Sequence, residues 1–168
     1  DKQNVLILRN TRRLATHMDA FKETLNNQAG LKASYTNNVF PGVNNTTVFR
    51  IAGTDQDRIM GTYFADYDHL DVLKIELAEG RYFSKDFPSD STACLINEAA
   101  VKELGWTTDI LNQKLTNYNA DKPFDMQVVG VVKDFAEAND RGTMLMINAT
   151  RARTKIYFFI YLIKLLKM

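Results

Sequence analysis

Short apolar runs separated by turn residues dominate the chain, and one helical stripe interrupts them. "NVLIL" (4–8) reads as a strand. After it, Leu14, Met18, Phe21 and Leu25 recur at spacings of four, three and four, the apolar face of a helix. Asn10 or Thr11 stands where its cap belongs, and Gly30 where it ends. "LKASYTNN" (31–38) is a second strand.

A loop follows in "VFPGVNNTT" (39–47), punctuated by Pro41 and Gly42. "TVFRIAG" is a strand, "GTDQDR" a turn and "IMGTYFA" another strand. "DYDHLDVL" (66–73) reads as one or two helical turns capped by Asp66 or Asp68. In "KIELAEGRYF", Ile75 and Leu77 occupy alternate positions before a turn at Glu79–Gly80, and "FPSDST" is a polar loop.

"ACLINEAAVKELGW" (93–106) is the best-formed unit, a buried strand running straight into a short helix. Asn97 caps that helix and Glu98 suits the positive end of its dipole. Gly105 ends it in the left-handed region, and Trp106 falls back onto Val101 as a Schellman motif requires. Barely two turns of helix need tertiary support to persist. "TTDILNQKL" suggests a further helical turn and "NYNADKP" a loop.

"FDMQVVGVVKDF" (124–135) is the strongest strand. Its alternation places Met126, Val128 and Val132 on one face and Val129 and Val131 on the other. Gly130 leaves room for close approach by a neighbouring backbone. "TMLMIN" and "KIYFFIYLI" are further strand candidates near the end.

The pattern predicts an α+β fold, a mixed β-sheet with short helices, in a single domain of two lobes. One lobe takes residues 1–45 with 136–168, the other 46–135. Trp106 and Val128–Val132 are expected in the core.

A chain of 168 residues buries enough surface to fold without disulfide or metal. Its 21 basic and 20 acidic residues argue against a nucleic-acid platform. The lone Cys94, set among apolar residues, reads as a buried and inert thiol. The opening residues lack the pattern of a signal peptide. The longest apolar run, "IYFFIYLI", is far short of the roughly 20 residues a membrane-spanning helix needs.

Candidate chemistry is sparse. His17 sits at the edge of the first helical stripe. His69 lies beside Asp66, Asp68 and Asp71, a set that resembles a cation site in composition alone. Its spacing matches no calcium loop, and the preferred reading is a helix cap with solvated neighbours. Asp134 closes the strongest strand and reads as a charged strand end. No hydrolase, zinc-protease, nucleotide-binding or dinucleotide-binding motif appears. The expectation is no catalytic residue, no cofactor and no metal.

Three segments occur in order: "IELAEGRYFSKDFPSDSTACLINEAAVKELGW", "ILNQKL" and "VVGVVKDF". They resemble the MacB-like periplasmic core domain of FtsX-type ABC transporter permeases, most closely those of Bacteroidetes-type bacteria. The likeness is carried by residues 60–135. Asn112 stands where the family commonly has glycine, and the sequence after Phe135 departs from its pattern.

The resemblance implies a domain on the periplasmic face of the bacterial inner membrane, set between two transmembrane helices. Its implied partners are the rest of the permease with its cytoplasmic ATPase, and a periplasmic adaptor or exported substrate. The family lends it no catalytic residues. The expected role couples transport to the handling of substrate or partner outside the membrane; a stand-alone extracytoplasmic ligand-binding or sensor domain is the alternative. The loop Phe40, Pro41, Gly42, Val43, Asn44 and Asn45, an aromatic followed by a polar run, is the candidate contact surface.

Overall fold

Among the described residues ten strands form one mixed sheet, and six of them close on themselves. The computed structural model describes residues 5–8, 11, 14, 17–37, 45–118, 122–134, 142–148 and 160–165. In chain order the strands are β1 (Val5–Leu8), β2 (Leu31–Thr36), β3 (Thr46–Ile51), β4 (Asp57–Ala65) and β5 (Leu77–Gly80). They continue as β6 (Ala93–Asn97), β7 (Lys114–Asn117), β8 (Phe124–Val132), β9 (Met144–Asn148) and β10 (Ile160–Leu165). The helices are α1 (Met18–Asn26), α2 (His69–Leu73) and α3 (Glu98–Leu104).

The pairing order is β1-β10-β2-β4-β3-β7-β8-β6-β9, and β9 returns to pair with β4. The circuit β4-β3-β7-β8-β6-β9 is therefore closed. Two of its contacts, β4–β9 and β6–β8, are parallel and the rest antiparallel. Each circuit strand contributes to one buried cluster: Phe49, Met60, Ile96, Leu115, Met126 and Leu145 represent the six. Closure hides both edges of these strands. Ala100 and Leu104 of α3 join the same cluster.

A second cluster lies on the other face of β6 and β9. It holds Leu95, Met144 and Met146 with Leu70 of α2, Ile75 and Phe83. β6 and β9 are thus buried on both faces, and all five residues of each are buried. "TMLMIN", a strand candidate in the sequence, supplies this central β9.

Outside the circuit, β1, β10 and β2 form a small antiparallel sheet. α1 packs on it: Leu14, Met18, Phe21 and Leu25 surround Ala33 and Tyr35. The predicted stripe is confirmed, but the α-helix begins at Met18 with His17 in the N-cap position. Thr11 stands well before that cap position and Asn10 lies outside the described residues; Gly30 has φ +77° just beyond the end of the helix. β10 covers residues 160–165 of the late apolar run, whose earlier part lies outside the described residues.

The periodicity of β8 differs from expectation. Cys94 pairs with Val128 and Leu95 with Gly130, so Val129 is skipped as a bulge. The extra residue reverses the alternation. Val131, not Val132, joins Met126 and Val128 in the interior, and Val132 lies in the second cluster beside half-buried Val129.

Glu79 and Gly80 belong to β5 instead of a turn, because they pair with Val131 and Gly130. Leu77 is exposed although Ile75 is buried. "FPSDST" is ordered as a 3-10 helix over Pro88–Thr92, with Asp90 buried against Arg81. Trp106 is only partly buried, packed on the interior cluster from outside. The expected terminal lobe, 1–45 with 136–168, includes β9; in the structure β9 lies between β4 and β6.

Candidate functional site

Phe40, Pro41, Gly42, Val43 and Asn44 lie outside the described residues. Asn45 is described, and its carbonyl accepts the Thr62 N–H at 2.7 Å. His17 is exposed and His69 is not.

The densest buried polar cluster among the described residues lies where the outer sheet meets the circuit. β4 ends at Ala65, and the chain turns at Asp66 into α2. Asp66 and His69 are both fully buried, which corrects the reading of His69 as a solvated neighbour, while Asp71 is exposed as expected. The sequence singled out Asp66, Asp68, His69 and Asp71 by proximity along the chain. It missed the two groups that make the cluster, Lys22 on α1 and Ser34 on β2. Lys22 directly follows Phe21 of the predicted stripe, but no local pattern marks a lysine there as buried.

Asp66 collects donors from the outer unit. Lys22 Nζ lies 2.5 Å from Oδ2, the Tyr35 N–H donates to the same oxygen at 3.2 Å, and Ser34 Oγ donates to Oδ1 at 2.7 Å. The Asp68 N–H donates to Oδ1 at 3.3 Å, so Asp66 caps its own turn. Lys22 Nζ also pairs with Asp68 and sits 5.5 Å from the centre of the Tyr35 ring. Ser34 Oγ lies 3.1 Å from His69 Nδ1, and Tyr82 donates its hydroxyl to the Asp66 carbonyl at 2.8 Å.

Burial pushes the Asp66 carboxyl up, against the pull of Lys22, Ser34 and Tyr35. Burial also works against the Lys22 ammonium, but the two carboxylates prevail and hold it above the ordinary lysine value. His69 is driven down to about 3, first by burial and then by the Lys22 charge. It is neutral at physiological pH. A charged lysine is no nucleophile, and an enclosed neutral histidine has no route to a substrate. The cluster is equipped to hold two elements together.

The remaining candidates are also structural. The Asp134 carboxylate accepts from Asn97 Nδ2 at 2.6 Å and from the Ala99 N–H at 3.0 Å. It is a second cap on α3, not a free strand end. Burial raises the Cys94 thiol well above its usual value. Among the described residues, no group of three or more His, Cys, Asp or Glu side chains is placed to hold a metal ion. Among them also, no helix is long and apolar enough to cross a membrane.

The MacB-like periplasmic core domain model matches residues 3–163, so the likeness continues through the tail that departs from the pattern after Phe135. Three solved structures share the fold. The periplasmic region of MacB from Actinobacillus actinomycetemcomitans aligns with TM-score 0.68 at 15% identity, covering 99% of this chain and 76% of that one. A domain of a permease protein from Porphyromonas gingivalis gives 0.62 at 18% identity, covering 86% and 66%. The extracellular domain of the noncanonic ABC-type transporter YknZ from Gram-positive bacteria gives 0.62 at 15% identity, covering 94% and 80%. Comparison with curated proteins gives no match. A family match across nearly the whole chain, on a fold shared with these domains, assigns this chain to the MacB-like periplasmic core domains of ABC transporter permeases.

Proposed function

We propose that this periplasmic domain has no chemistry of its own and couples movement of its permease to a substrate or partner outside the membrane. The carrying observation is that Val5 lies opposite Lys164 in the antiparallel β1–β10 pair. Both ends of the family match therefore meet at one end of the outer sheet. Segments entering and leaving there pull on one small sheet, and that sheet passes displacement through β2 and Asp66 to the circuit. The partners that follow are the permease's transmembrane helices and, through them, its cytoplasmic ATPase. A periplasmic adaptor or the exported substrate stands on the far side. Differential contacts in two positions of the domain would supply the coupling.

Two mechanical units belong to this reading: the outer sheet, built from both terminal segments, and the circuit, which takes β9 from the later terminal segment together with the middle of the chain. The loop Phe40–Asn45 is the proposed contact surface: it runs from β2 to β3, and so from the outer sheet to the circuit. The test restores the domain to its full permease and replaces 40–45 by a Gly/Ser linker. Export or adaptor binding should fall. Wild-type transport with the loop replaced discards that surface, and transport surviving deletion of the whole domain discards the coupling.

A further inference from the structure

The outer sheet holds the circuit by little backbone. β2 and β4 share one bridge pair, Thr36 with Ala65. Two side-chain bonds flank it: Thr36 Oγ1 donates to the Phe64 carbonyl at 2.7 Å, and the Phe64 N–H donates to Asn37 Oδ1 at 2.7 Å. The cluster around Ala33 and Tyr35 is separate from the two circuit clusters, with Phe64 shared between it and the interior. The fixed point beyond this bridge is Asp66, whose carboxylate takes Lys22, Ser34 and the Tyr35 N–H, all from the outer unit.

We infer that the Asp66 carboxylate is a latch between the outer sheet and the six-stranded circuit. Closed, its three outer donors fix the angle between the two units. Opened, it leaves the Thr36–Ala65 bridge and its two flanking side-chain bonds, about which the outer unit rotates. Apolar contacts tolerate small slides, whereas charged hydrogen bonds demand direction and distance, so the polar seam sets the two positions. Opening also parts Lys22 from Asp68, which lies on the circuit side and is itself partly exposed. α2 follows the circuit side of the latch and touches β2 through the exposed Lys32–Asp71 pair. This inference rests on the coupling reading for its purpose, but its geometry is a property of the chain alone.

The test is a spin-label distance measurement on this chain, with labels at Glu23→Cys on α1 and Glu103→Cys on α3, both exposed. Buried Cys94 is left in place. The parent should give one narrow distance. Lys22→Met and, as the milder variant, Ser34→Ala should each add a second, displaced population. Lys32→Met, which removes only the exposed pair, should leave the distribution unchanged. A distribution as narrow in Lys22→Met and Ser34→Ala as in the parent overturns the latch, and so does equal broadening by Lys32→Met. Should Lys22→Met fail to fold, Ser34→Ala decides alone. No transport is measured, so a negative result removes the latch and leaves the coupling to its own test.

Discussion

The Lys22 ammonium lies 2.5 Å from the Asp66 carboxylate, although one stands on a helix of the outer sheet and the other ends a circuit strand. Two charges share a nearly dry site. Removing one of them strands the other, and breaking such a pair from one side costs about 3–5 kcal/mol. Lys22→Ala should lose stability of that order in urea unfolding followed by Trp106 fluorescence. Lys32→Ala, which breaks a pair with the exposed Asp71, should lose far less. Equal losses from the two would show that the Lys22 site is as solvated as the surface.

His69 makes the fold acid-sensitive. Its folded value near 3 lies below the ordinary 6.5. Below pH 6.5 the unfolded chain takes up a proton that the folded chain refuses, so stability falls as pH drops from 6.5 towards 3. One group contributes about 1.4 kcal/mol per pH unit in that window. His69→Gln should be less stable at pH 7 but flatter between pH 6.5 and 4. Parallel pH profiles for the two proteins would place the acid sensitivity elsewhere.

Local signals were legible in this sequence and phase-shifting ones were not. Asn97, Gly105 and Trp106 do what their order predicts: Asn97 accepts the Ala100 N–H, and the Trp106 N–H reaches the Val101 carbonyl. The family was readable in the same segments. The Val129 bulge was hidden, because it is set by the register of β6 and not by the residues of β8. Lys22 and Ser34 were hidden for a related reason. Their partner lies 44 and 32 residues away, and no local pattern marks a buried lysine. The closed circuit rests on β9 returning to β4, a parallel pairing that strand patterning alone does not encode.

Gly130 and Gly80 face each other across β5 and β8. A Cβ on Gly130 would lie 2.3 Å from the Arg81 carbonyl oxygen, and one on Gly80 2.5 Å from that of Val129. Gly80 also has φ +75°. Backbone cannot yield as a side chain does, so alanine at either position should cost several kcal/mol or prevent folding. Gly53 also has positive φ but meets nothing within 4 Å, so Gly53→Ala should cost only about 1–2 kcal/mol. Thermal melts of the three variants should rank Gly53→Ala as the mildest by a clear margin. A Gly130→Ala variant as stable as Gly53→Ala would mean that β5 does not pack against β8 as described.

Asn97 ties four segments at one point. Its Oδ1 accepts the Ala100 N–H at 3.2 Å and the Met144 N–H at 2.8 Å. Its Nδ2 donates to Asp134 at 2.6 Å and to the Gly142 carbonyl at 2.7 Å. An ordinary cap removed to alanine costs about 1 kcal/mol. Here the buried Met144 N–H loses its acceptor as well, and a buried group left unpaired costs about 1–3 kcal/mol, whereas Gly142 is half-buried and Asp134 is exposed, so water replaces Asn97 there. Asn97→Ala should therefore exceed the cap value by about 1–3 kcal/mol. Asn97→Asp keeps the cap and the Met144 bond but places a second carboxylate beside Asp134, so it should recover little at pH 7. Asp134→Asn in that background relieves the repulsion and restores a donor–acceptor pair with the roles exchanged. The double variant should be more stable than Asn97→Asp alone by denaturant unfolding. If it is not, the Asn97–Asp134 bond has no part in holding α3 to the end of β8.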